Sequence, residues 1–207
     1  MVRIIFWNSQ GTLGLVFHWY LKLLIQTQSP DIFAIFEPRV SGAKADGFIR
    51  KSGFDHSFRV EANGFWGGIW VLWRDTVSMD FLVASNQFSH GLCGDSGSSR
   101  SFFISFVYAR PVGNVRKNVW NQLRTLEPNN NKLWVLGGEF NALCGSYERN
   151  GGSPRRSVDM GFNGPRYTGQ SRNLCQRLDR WSEDVPDDIY RPRCSRLWMG
   201  KDTPFGD

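Results

Sequence analysis

The chain has 207 residues, 41% of them apolar, and a formal net charge of +6. That length predicts one domain by default; nine Trp and 16 Phe make its core aromatic-heavy, and 19 of its 25 basic residues are Arg, the side chain whose planar fork matches phosphate oxygens, a balance compatible with a nucleic-acid partner and equally with solvated surface charge. The most apolar stretch, residues 13–25, is broken by His18 and Lys22 and falls short of the ~20 apolar residues a membrane span needs, and the cysteines at 93, 144, 175 and 194 are too far apart for a zinc-type CxxC pair.

Residues 2–7 are a β-rich apolar run, a predicted buried strand. Residues 13–26 follow as a helix whose His18, Lys22 and Gln26 form a narrow polar stripe. Ser29-Pro30 ends it. Residues 31–37 are a second strand, apolar until Glu37, and 41–52 a short helix or loop. Residues 54–61, 69–73, 77–84 and 101–109 read as successive strands. Asn63-Gly64, Arg74-Asp75 and a Gly/Ser-rich loop over 90–99 separate them. Residues 115–126 predict another helix, with Pro128 beyond it. The order βαβ, then antiparallel strands, then αβ implies mixed sheets with helices packed outside.

Residues 134–142 read Trp-Val-Leu-Gly-Gly-Glu-Phe-Asn-Ala. The predicted strand covers 133–136, and the two glycines free the backbone to turn sharply at its end. If the chain stays extended, Glu139 and Asn141 project to one side, because side chains alternate with period two. A carboxylate and an amide at a strand's carboxyl end suit a hard cation such as Mg²⁺. An ordinary strand-to-turn transition suits the same residues. Other strand ends carry polar groups too: Asn8, Glu37 and Tyr108, and further on Asp179 stands in Arg-Leu-Asp-Arg. Phe65, Trp66, Trp70 and Trp73 are read as packing residues, and His18, His56 and His90 as structural or exposed. From about residue 148 the composition changes. Ten of the 19 Arg lie between 149 and 201, and glycines and prolines break the apolar pattern.

Taken in order, Trp7-Asn8, Pro30-Asp31 leading to Glu37, Gly67-Gly68-Ile69-Trp70-Val71-Leu72-Trp73, Val107-Tyr108-Ala109, Gly138-Glu139-Phe140-Asn141-Ala142, Gly161-Phe162-Asn163-Gly164-Pro165 and Arg177-Leu178-Asp179-Arg180 make the chain resemble the endonuclease/exonuclease/phosphatase family. Within it the resemblance is to the apurinic-type endonuclease domain of plant LINE (non-LTR) retrotransposons. It implies an α/β (α+β) fold, a four-layer sandwich of two mixed β-sheets flanked by helices. Residues 1–180 would form the domain and 181–207 a degenerate, irregular tail. It implies metal-dependent hydrolysis of a phosphodiester, with Mg²⁺ (or Mn²⁺) as cofactor and nucleic acid, DNA ahead of RNA, as partner. Glu37 and Asn8 would hold the metal. Tyr108 would contact the scissile phosphate, Glu139 would align or deprotonate water, Asn141 would orient phosphate and nucleophile, and Asp179 would orient a catalytic His.

Four departures from the family pattern matter: the altered acid and the missing His imply impaired catalysis, and the missing element implies an opened core. Glu139 stands where the family usually has Asp, and a displacement near 1 Å can cost on the order of a hundredfold in rate. Gln10 replaces a usual Arg. Residues 156–159 join segments that a helix usually separates. The family's terminal Ser-Asp-His has no His counterpart here, with Asp202 the nearest remnant. A non-catalytic nucleic-acid-binding remnant and a decayed open reading frame are the alternatives. No cleavable signal segment is recognised, so an intracellular compartment, nuclear or cytoplasmic, is expected.

Overall fold

A computed structural model describes residues 2–12, 15–62, 67–96, 100–128, 132–141, 193–194 and 196–199. Asp179, Asp202, Phe65 and Trp66 lie outside the described residues, as do the segments 149–192 and 200–207.

Strand β1 (Ile4–Asn8), helix α1 (Leu15–Gln28) and strand β2 (Ile32–Phe36) form a βαβ unit in which β1 and β2 pair in parallel, Asn8 beside Phe36. Helix α2 (Gly42–Lys51), β3 (His56–Val60) and β4 (Ile69–Trp73) complete this half, with β4 antiparallel to both β2 and β3. The second half runs β5 (Val77–Ala84), β6 (Phe88–Asp95), β7 (Ser101–Tyr108), α3 (Gly113–Arg124) and β8 (Trp134–Glu139). Here β7 and β8 are the parallel pair, Tyr108 beside Glu139. Two late strands, β9 (Arg193–Cys194) and β10 (Arg196–Met199), pair antiparallel with β1 and β8. They fall within the segment 181–207. The sheet orders are β3-β4-β2-β1-β9 and β10-β8-β7-β6-β5.

Alternation along the strands sorts side chains into three apolar layers. Ile5, Trp7, Phe33, Ile35, Trp70 and Leu72 face the helices, meeting Phe17, Tyr20, Leu21 and Leu24 of α1 and Ala45 of α2. Phe6, Ile32, Ala34, Phe36, Ile69 and Val71 point the other way, onto Ile104, Phe106, Tyr108 and Val135 of the second sheet. On that sheet's far side Val107, Trp134 and Leu136 pack on Val119, Trp120 and Leu123 of α3. The result is the expected four-layer sandwich, helix–sheet–sheet–helix.

Two local expectations are corrected. Of the loop expected over 90–99, residues 90–95 belong to a strand, Phe88–Asp95. Their glycines let the strands approach closely beside the point where β5 shifts register, between Phe81 and Val83. A Cβ on Gly91 would sit 2.5 Å from the Asp80 carbonyl oxygen. Strand β8 likewise runs on through Gly137 and Gly138 to Glu139. Those glycines make room more than they make a turn: a Cβ on Gly137 would overlap the Phe6 ring, and one on Gly138 the Val107 backbone.

Of the three histidines, His90 is buried beneath the α3 side of the second sheet. Its Nδ1 lies 2.8 Å from Ser105 Oγ, which also accepts from Trp134 Nε1 at 2.9 Å. Burial lowers the His90 pKa.

Candidate active site

In a parallel pair both carboxyl ends emerge at the same sheet edge. Among the described residues there are two such pairs, one per sheet, and their ends meet across the sandwich. Asn8 Nδ2 of β1 donates to Glu139 Oε2 of β8 at 3.0 Å, linking residues 131 positions apart. Period two accounts for both. Asn8 follows Ile4 and Phe6, and Glu139 follows Val135 and Gly137, toward the space between the sheets.

Glu37 reaches the cleft differently. By alternation it would follow Phe33 and Ile35 toward α1. Its backbone is instead left-handed, with φ 52°, which ends the alternation and turns the carboxylate toward Tyr108. Pro38 and a second left-handed residue, Arg39 (φ 54°), follow. The turn is held by Glu37 N–H donating to Gly68 O (3.2 Å), Ser9 Oγ donating to Phe36 O (3.0 Å), and Thr12 Oγ1 donating to Pro38 O (3.0 Å). Gly68 is packed so tightly on Pro38 that a Cβ there would lie 3.0 Å from its ring. Arg39 folds back, its Nη2 3.1 Å from Glu37 Oε2.

Tyr108 connects the two halves. Burial, the charge of Glu37, hydrogen bonding to Glu37 and the more distant charge of Glu139 push its phenol up to about 12, against an opposing pull from Arg110. It is therefore a neutral O–H donor at physiological pH. Gly67, at φ 76°, lies against the Tyr108 ring.

Beyond Glu139 the chain does not stay extended. Asn141 has φ 45°, and its backbone N–H donates to Glu139 Oε1 at 2.9 Å. The Asn141 side chain donates to Ala109 O at 2.9 Å, and Arg116 Nη1 donates to Asn141 O at 2.6 Å. The carboxylate of Glu139 is thus gripped on both oxygens, by Asn8 and by the turn it helps to form.

Five of the six residues singled out from sequence, Asn8, Glu37, Tyr108, Glu139 and Asn141, therefore converge, and Asp179 lies outside the described residues. Arg39, Arg110 and Arg116 were not singled out. The one cue for Arg39 is its position two residues after Glu37, and nothing in the sequence marks the left-handed turn that folds it back.

Among the described residues no group of three or more His, Cys, Asp or Glu is placed to hold a metal ion. The cleft offers two carboxylates together with neutral amide and phenol oxygens. That sparse set of hard oxygens fits Mg²⁺, which keeps several waters and binds through one or two carboxylates plus substrate phosphates.

A two-sheet sandwich flanked by helices, with polar strand ends of both sheets meeting at one edge, defines an α/β sandwich class of domain. The sequence matches the endonuclease/exonuclease/phosphatase family over residues 5–206, and the chain belongs to that family. Its members are generally dependent on divalent metals. Similar solved structures include truncated Caenorhabditis elegans TDP2 (15% identity, 96% of this chain and 84% of that one, TM-score 0.54). A mannosyl-6-phosphatase of Bacteroides thetaiotaomicron is also similar (11% identity, 97% and 85%, TM-score 0.56), as is the AP endonuclease of Leishmania major (13% identity, 73% and 59%, TM-score 0.52). At these identities the likeness is one of fold. The chain spans 64% of the human Nocturnin catalytic domain and 59% of the Leishmania enzyme. No curated protein matches the sequence significantly.

Proposed function

We propose that this domain acts on nucleic-acid phosphodiesters with the help of a divalent cation, as an endonuclease of the LINE retrotransposon kind whose catalysis is impaired. The observation that carries the reading is the convergence of Asn8, Glu37, Tyr108, Glu139 and Asn141 from two sheets on one cleft. Glu37 and Asn8 would hold the cation, Mg²⁺ first and Mn²⁺ second. When bound, the cation supplies neutralisation of the charge that builds on phosphate oxygens. Tyr108, kept protonated, donates to a phosphate oxygen. Glu139 accepts the proton of an attacking water, and Asn141 orients the reacting groups.

Two features support impairment. The Glu139 side chain is a methylene longer than the family's usual Asp, and both its oxygens are already engaged by Asn8 and Asn141. Gln10, at φ 48°, stands where the family usually has Arg. Among substrates, DNA is preferred to RNA on the retroelement resemblance alone. The Arg-rich stretch 149–201 favours a second reading, binding without cleavage. The deciding experiment is nicking of supercoiled DNA with and without Mg²⁺, beside a salt titration of DNA binding. Slow, EDTA-sensitive nicking that Glu37→Gln abolishes is the expected result. Fast nicking overturns the impairment. Salt-sensitive binding with no nicking supports the second reading, and neither binding nor nicking removes both.

A further inference from the structure

The cleft contains a cation of its own. Arg39 Nη2 sits on Glu37 Oε2 at 3.1 Å, and the geometry of the turn makes this pairing a constructed one. Two non-glycine residues either side of a proline are left-handed, at φ 52° and 54°. Such conformations are unfavourable for L-residues and persist only where the surroundings over-determine them. The surroundings do so here. Ser9, Thr12 and Gly68 each bond to the backbone of the 36–38 segment, and Thr12 is fully buried. Without the left-handed residue at 39, the chain would continue away from the carboxylate it has just delivered.

The two partners lie at different depths. The Glu37 side chain is 14% exposed and that of Arg39 is 44%. The carboxylate is thus the more buried partner and the guanidinium the more solvated one. Arg39 already occupies an acceptor position on Oε2, and its positive charge opposes a second cation on the same carboxylate. The rest of the neighbourhood offers Arg39 no other ion pair among the described residues.

We infer that Arg39 is a resident counter-ion of Glu37 that opposes a divalent cation at the same carboxylate, so that this side chain lowers the cation affinity of the site. It is a positioning residue: it acts through Glu37. The inference rests on the reading of the cleft as a divalent-cation site and goes beyond it by assigning a residue that holds the affinity down. An exposed or half-exposed Arg–carboxylate pair stabilises by a modest amount, which corresponds to a change of about two- to fivefold in affinity.

The test is Mn²⁺ and Mg²⁺ binding to the full chain, without nucleic acid, by isothermal calorimetry and by the electron-paramagnetic signal of free Mn²⁺. Arg39→Gln is expected to bind about two- to fivefold more tightly than the parent at low ionic strength. Arg39→Lys, which keeps the charge but loses the fork, is expected to fall between them. The advantage of Arg39→Gln should shrink as salt screens the pair it lacks. Arg110→Gln is the control, removing the same charge from beside Tyr108 without freeing Glu37. Equal or weaker binding by Arg39→Gln overturns the inference, as does equal tightening by Arg110→Gln, which would reveal only a general field effect. If neither the parent nor Arg39→Gln binds either ion, or if Glu37→Gln binds as well as the parent, the cation-site reading itself falls and takes this one with it.

Discussion

Gly138 offers the sharpest test of how the cleft is built. It has φ 147°, and it pairs with Val107 in the parallel β7–β8 ladder. A Cβ added there would meet the Val107 carbonyl carbon at 2.8 Å and its nitrogen at 2.9 Å, with the carbonyl oxygen closer still. Ordinary contact begins near 3.4 Å. The obstacle is backbone, so no side-chain rotation relieves it, and the two strands must part by more than 1 Å, disturbing close packing on both faces. The bond from Ala109 N–H to Glu139 O, at 2.8 Å, lies next to the point of separation. Backbone strain and overpacking together cost about 3–5 kcal/mol in Gly138→Ala. For a chain of this size that lowers Tm by roughly 6–20 °C. Gly53→Ala is the matched comparison: Gly53 is also left-handed, at φ 77°, but nothing lies within 4 Å of its added Cβ. It should lose only about 1 kcal/mol. Urea unfolding followed by tryptophan fluorescence gives both numbers. If Gly138→Ala costs no more than Gly53→Ala, the account of the glycine pair as a close-approach device is wrong.

The remaining predictions concern protons and buried polar groups. Tyr108 should resist ionisation until about pH 12, and its ultraviolet titration should lose that late step in Tyr108→Phe. Because the folded value lies above the unfolded value near 10, the phenol's stabilising contribution is complete below pH 10 and is lost as pH rises toward 12. The His90 shift runs the other way. Its neutral form is favoured in the fold, so stability is intact above pH ~6.5 and declines as pH falls below it, a decline that urea midpoints between pH 7.5 and pH 5 should show relative to His90→Phe. Ser105→Ala would leave both Trp134 Nε1 and His90 Nδ1 without their shared partner. A loss of about 2–4 kcal/mol is expected in chemical unfolding, and a loss below 1 kcal/mol would mean that water replaces the hydroxyl.

The strands and helices of the first half were legible as apolar runs separated by a helix, which implies mixed sheets with helices outside; 4–7 and 32–36 are apolar throughout, so their two faces are not told apart in the sequence, and the four-layer arrangement came from the family resemblance. Strand β6 was not legible, since Ser89, Gly91, Gly94 and Asp95 have the composition of a loop. What makes it a strand is its pairing with β5 on one side and β7 on the other, a tertiary fact. The convergence of Asn8, Glu37, Tyr108, Glu139 and Asn141 came from the family resemblance. Period two explains the directions of Asn8 and Glu139, whereas Glu37 and Asn141 depend on left-handed residues that a sequence of Glu, Asn and Arg does not announce. Arg39 was missed for the same reason.

The hydrogen bond from Asn8 to Glu139 spans the gap between the two sheets. The width of that gap is set by the aromatic rings wedged between the layers, such as Phe6 against Phe106 with centroids 5.8 Å apart. The cleft therefore behaves like the open jaw of a caliper whose screw lies deep in the greasy interior. Trimming Phe106, which touches no reacting group, would change the jaw setting at the polar rim, so selection acting on chemistry must also police the girth of rings that never meet a substrate.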